Sequence, residues 1–232
     1  MAKSDKFSRV KRDVTPYLFH FTKGPDAIDV LRKIIDEERL VSQKHSYICF
    51  TASPLTSLLD FFDTKVNSTG EPMYQPFGIG FSKKIMYEKY GARNVVYSTL
   101  DEIKSYNEQC PELSWRCEEL DIEKHDFSYL REWRVNGREF SFEDFPKDEM
   151  IIVAKSRRDL EQLVEEQDFD VDFEEFEPGE AYPTIIRKEK RAFKGFCLSE
   201  VQEHKDDHSL SASTKSQKIG EAMGIACGGN QE

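Results

Sequence analysis

The chain has 232 residues and a mass of 27.0 kDa, enough to bury a core without disulfide or metal staples. Its mean hydropathy of −0.66 is polar, but an aromatic content of 12% argues against general disorder. No stretch approaches the roughly 20 apolar residues of a bilayer span, and a net charge of −11 repels nucleic acid at long range unless a local basic patch intervenes.

Met1 to Arg12 is basic and has no apolar centre, so it does not read as a secretory signal. Residues 1–14 are taken as a leader whose Lys3, Lys6, Arg9, Lys11 and Arg12 form a local basic patch. Pro16 to Thr22 (PYLFHFT) predicts a buried strand. Ile28, Leu31, Ile34 and Ile35 recur at helical spacing and predict a helix over 26–38. Ser46 to Thr51 predicts a second strand, and Ser53-Pro54 opens a helix with Ser53 as N-cap. The apolar face of that helix is Leu55, Leu58, Leu59, Phe62 and Val66, and Asn67 to Gln75 is expected to be a loop.

Phe77 to Phe81 (FGIGF) predicts a third strand with Gly78 and Gly80 on one face, where something approaches the backbone closely. Ser82 is expected to cap a short helix that Gly91 stops. Ala92 to Ser98 predicts a fourth strand, and Asp101 to Asp126 a largely helical stretch. Leu130 to Asn136 predicts a fifth strand with Leu130, Glu132, Arg134 and Asn136 on one face, returning through Asn136-Gly137 to Glu139–Phe142. Glu149 to Ala154 predicts a strand, and Ser156 caps a helix to about Gln167. Phe169, Val171 and Phe173 alternate with acids as in an edge strand, and Tyr182 to Arg187 is expected to be the last strand. Residues 203–232 read as a flexible polar tail, so the domain is expected over 15–202.

Five cysteines at irregular spacing, with no C-x-x-C pair, predict reduced thiols and a cytoplasmic protein without structural zinc. His204 and His208, at i,i+4 spacing in the polar tail, are not expected to form a metal site. From Asp159 to Glu180 there are eleven acids and no Lys or Arg, leaving thirty-three residues of each sign elsewhere. That ribbon reads either as a solvated face or as a surface for a basic protein partner.

Two residues stand out chemically. His20 lies between Phe19 and Phe21, so it faces the opposite side of its strand from those rings. Glu132 lies within a strand, where a carboxylate is disfavoured unless exposed or paired with Arg131 or Arg134.

The ordered set of His20-Phe21-Thr22, Cys49-Phe50-Thr51 with Pro54-Leu55, Phe77-Gly78-Ile79-Gly80, Val95-Val96-Tyr97 and Arg131 to Arg134 resembles the AbiGi-type abortive-infection proteins. More distantly it is similar to the DarT-type DNA ADP-ribosyltransferases. The resemblance covers roughly Tyr17 to Val135; Ala52 stands where the family carries an acid, and Phe77 where it carries Tyr. It implies an α+β, ADP-ribosyltransferase-like fold: mixed, strongly bent sheets with flanking helices in a single domain. It further implies an antiviral-defence or toxin–antitoxin component that transfers ADP-ribose from NAD, as substrate, to a nucleic-acid or protein acceptor. The alternative it implies is a non-catalytic, antitoxin-like partner that restrains a toxin through its acidic surface. On the catalytic reading Glu132 stabilises the ribosyl cation, and His20 and Thr22 hold the ribose or phosphates. Phe77 or Tyr87 stacks on nicotinamide, Gly78 lets the ligand approach, and Arg93 or Arg134 pairs with the pyrophosphate. Leu130, two residues before Glu132, is not a second carboxylate, which disfavours an arginine acceptor.

Overall fold

Seven strands form one sheet, ordered β13-β10-β4-β1-β3-β8-β5, and every neighbouring pair in it is antiparallel except β10 with β13. The strands are β1 (Tyr17–Phe21), β3 (Tyr47–Thr51), β4 (Gly78–Ser82), β5 (Arg93–Asn94), β8 (Glu132–Asn136), β10 (Met150–Ala154) and β13 (Lys194–Cys197). The computed structural model describes residues 15–64, 74–123, 126–164, 169–177, 180–187 and 193–199. The basic leader, Val66, His204, His208 and the polar tail lie outside them.

Both faces of the sheet are covered, which is why β10 (MIIVA) is apolar at every position and fully buried. On one face Leu18, Ile48, Phe50, Ile79, Phe81, Val135 and Ile152 pack with Leu31 and Ile35 of α1 (Ala27–Glu37). On the other, Phe19, Phe21, Ile151, Val153 and Phe196 pack with Leu55, Leu58, Leu59 and Phe62 of α2 (Leu55–Thr64). The architecture is a single α+β domain, a mostly antiparallel sheet with flanking helices.

Several local expectations are corrected. The Ser53 hydroxyl, expected at the start of α2, donates to the Tyr129 carbonyl (2.5 Å). Ser82 precedes α3 (Lys83–Lys89) without a side-chain cap; Gly91, at φ +68°, ends that turn in a conformation glycine adopts freely. The fourth predicted strand breaks at Val95, whose N–H donates to the Glu132 carbonyl (2.8 Å). Its halves join different sheets: β5 pairs with β8, while β6 (Val96–Ser98) pairs in parallel with β7 (Cys117–Glu119). Among the described residues, the segment expected to be helical to Asp126 is helical over α4 (Leu100–Gln109), closed at its start by a Thr99–Glu102 capping box, and over a 3-10 turn at Pro111–Arg116, after which it becomes β7. The return arm β9 (Glu139–Ser141) pairs not with β8 but with β2 (Arg39–Val41), a strand the apolar pattern is too short to reveal.

Ser156 and Asp159 form a reciprocal cap on α5 (Arg157–Val164). Beyond it β11 (Phe169–Glu177) pairs with β12 (Glu180–Arg187). β13 then follows β12, so the strand over 182–187 is not the last. Among the described residues no helix is long and apolar enough to cross a membrane.

Candidate functional site

The ladder between β1 and β3 is a single pair, Phe19 with Thr51. One residue further along β1, where the next backbone pair would form, a side chain takes over. The His20 Nδ1 lies 2.8 Å from the Cys49 carbonyl oxygen. A carbonyl only accepts, so Nδ1 carries the proton and Nε2 is left as an acceptor. Burial, above all, lowers the His20 pKa from its ordinary value of 6.5; the Cys49 carbonyl opposes this and Lys23 adds to it. The imidazole is therefore neutral at physiological pH.

A cavity of about 890 Å³ lies along this gap. Its walls include Phe19, His20, Phe21 and Thr22 from the β1 side, Tyr47, Cys49 and Thr51 of β3, and Glu132 and Arg134 of β8. Val30, Lys33, Ile34 and Glu37 of α1 line one end, with the His45 ring stacked on Tyr47 (centroids 5.0 Å apart). Phe61 and Tyr74 line the other, 5.4 Å apart, with the Lys23 ammonium 4.5 Å from the centre of the Tyr74 ring.

His20 and Glu132 reach this space from opposite faces of the sheet. The register Phe19–Thr51–Glu132 places the carboxylate on the face of Phe19, whereas His20 meets Phe50 edge-on at 5.9 Å on the other. Both line the cavity because the strands between them are joined by one pair only.

Glu132 and Arg134 share a face of β8, as the alternation predicts, and they pair. Arg134 Nε donates to Glu132 Oε1 at 2.8 Å. Its Nη1 donates to the carbonyls of Trp115 (2.9 Å) and Cys117 (3.3 Å), and its Nη2 to Glu118 Oε2 (2.5 Å). Its Cζ lies over the Tyr47 ring, 4.0 Å from the centre. The Tyr97 hydroxyl has two acceptors in reach, Glu132 Oε2 at 3.2 Å and the Phe127 carbonyl at 3.4 Å. Burial first, then the charge of Glu132, pushes the Cys49 thiol pKa up to about 12, so it is not a nucleophile at neutral pH.

The remaining sequence candidates are placed as follows. Thr22 lines the cavity, but its hydroxyl is shared between the Ala27 and Phe77 carbonyls (2.8 and 3.0 Å). Arg134 lines the cavity with four of its five N–H donors on protein acceptors. Phe77, Gly78, Tyr87 and Arg93 are not in the cavity wall. Phe77 packs against the core. A Cβ on Gly78 would lie 2.6 Å from the Phe21 ring, and one on Gly80 2.6 Å from the Phe19 ring. The glycines thus admit neighbouring aromatic rings, not a ligand. Arg93 lies over the exposed Tyr87 ring at 4.3 Å and donates to the Tyr87 and Ala92 carbonyls.

Sequence reasoning missed Cys49, Tyr74 and Tyr97 as parts of the site: Cys49 comes beside Glu132 and Arg134 through the β3–β8 register, Tyr74 from a bend before β4, and Tyr97 from β6 in a separate small sheet. Of the acidic ribbon, Asp159 serves as the α5 cap, and positions 165–180 lie outside the described side chains. No group of three or more His, Cys, Asp or Glu suited to a metal occurs among the described residues. No known family model matches the chain, and no curated protein or solved structure matches it.

Proposed function

We propose that the cavity binds NAD as a substrate and that Glu132 promotes cleavage of its nicotinamide–ribose bond, with transfer of ADP-ribose to a nucleic-acid or protein acceptor in antiviral defence. The observation that carries this reading is the convergence of His20 and Glu132 on one cavity whose volume falls in the range of about 300–1,000 Å³ typical of small-molecule and cofactor sites. The chemistry of the walls suits the substrate. Tyr74 and Phe61 offer flat faces for a heteroaromatic ring. The His20 Nε2 is an acceptor for a ribose hydroxyl. A fixed carboxylate stabilises positive charge developing at the ribosyl carbon.

With water as acceptor, the bond from C1′ to the nicotinamide nitrogen breaks and its electron pair leaves with nicotinamide. The water oxygen bonds to C1′, and one proton passes to solvent. With a nucleic-acid or protein acceptor, its nucleophilic atom takes the place of the water oxygen.

A second reading is favoured by the ion pair of Arg134 with Glu132. With both oxygens engaged, Glu132 is a strut, and the same fold restrains a toxin without turnover. Two measurements on the full chain decide between them: nicotinamide release from NAD, and the thermal midpoint with and without NAD. The catalytic reading expects release, a raised midpoint, and loss of release in Glu132→Gln with the fold retained. Release at the wild-type rate in Glu132→Gln removes the catalytic assignment. No release and no shift of the midpoint leave the partner reading.

A further inference from the structure

We propose that Tyr97 is the positioning residue for the Glu132 carboxylate, an inference that rests on the catalytic reading above. Glu132 is the first residue of β8 and follows Arg131, which sits at φ 47°. Its backbone alone does not fix the side chain. Oε1 is held by Arg134, itself clamped by two carbonyls and by Glu118. Oε2 lies 3.2 Å from the Tyr97 hydroxyl, whose single proton has the Phe127 carbonyl as its other acceptor at 3.4 Å; the shorter contact is to the carboxylate, and donation there sets the rotation of its plane.

An oxygen that accepts from one hydroxyl keeps a lone pair for a second donor, and a ribose hydroxyl is the donor the reaction brings. Tyr97 would thus hold Oε2 ready without occupying it. Burial, and then the charge of Glu132, raise the Tyr97 pKa above its ordinary value of 10.0, so it remains a donor across the neutral range. Its ring arrives on β6, from the stretch between β5 and β8 whose α4 and 3-10 turn bury none of their residues. Aligning the carboxylate therefore depends on that stretch being seated over the cavity.

The test is Tyr97→Phe, which removes only the hydroxyl, assayed beside wild type and Glu132→Gln for nicotinamide release from NAD. The assay temperature is one at which circular dichroism shows all three folded. The expected result is a fall in kcat of about tenfold or more, the scale of one hydrogen bond to a charged group, with KM for NAD unchanged. A hydroxyl that merely supports the fold would leave kcat unchanged in the folded variant. Wild-type kcat in Tyr97→Phe alongside an inactive Glu132→Gln overturns the positioning role alone. Wild-type rates in both variants, or no release by the wild type, overturn the catalytic reading and this role with it.

Discussion

Arg134 is 4% exposed and donates to four acceptors, two carboxylates and two carbonyls. A guanidinium presents fixed, planar donors that reach all four at once; an ammonium presents three donors from a single point. Arg134→Lys keeps the charge but is expected to leave buried acceptors unpaired and to destabilise the fold by about 1–3 kcal/mol. Thermal or urea unfolding measures this, and a loss below about 1 kcal/mol, typical of an exposed pair, would show that the cluster is solvated. The pairing itself was legible: strand alternation puts Glu132 and Arg134 on one face, and a strand carboxylate calls for a partner. The roles of Cys49 and Tyr97 were not legible, because Cys49 reaches Glu132 through the β3–β8 register and Tyr97 through the tertiary placement of β6, which pairs with β7 and not with β8. The sequence of a single strand does not encode that.

Among the elements, those with a long apolar pattern were readable. α1, α2, β4 and β10 all fall within a few residues of their expected ranges, because each buries a stripe or a face that writes its period into the sequence. The short pieces β2, β5 and β6 were missed or merged, since two or three residues carry no period. The two glycines of β4 were noticed for the right geometry and the wrong occupant. Phe21 pairs with Gly78 and Phe19 with Gly80, so each ring lies across a neighbour that has no Cβ. Gly80→Ala is expected to cost about 1–3 kcal/mol, because a Cβ 2.6 Å from the Phe19 ring forces that buried side chain off its rotamer. Chemical denaturation checks it; an unchanged midpoint would mean the ring yields freely.

Across the whole molecule, burial is uneven. All five residues of β10 are buried between β4 and β13, whereas α4 buries none of its ten. Amide hydrogen exchange is expected to divide accordingly: β10 amides exchange only with global unfolding, and those of α4 by local opening at far lower free energy. Equal protection in the two elements would contradict this. The same unevenness runs through the sheet. Three antiparallel strands (β3, β8 and β5) meet four others (β13, β10, β4 and β1) across one backbone pair and one imidazole. The two groups stay joined through the core on one face, where Phe50 of β3 meets Phe81 of β4 edge-on, and a molecule seated in the seam would touch both groups at once. His20 is the latch of that seam, and displacement rather than protonation would release it, because a proton added at Nε2 leaves the Nδ1–H donor to the Cys49 carbonyl in place.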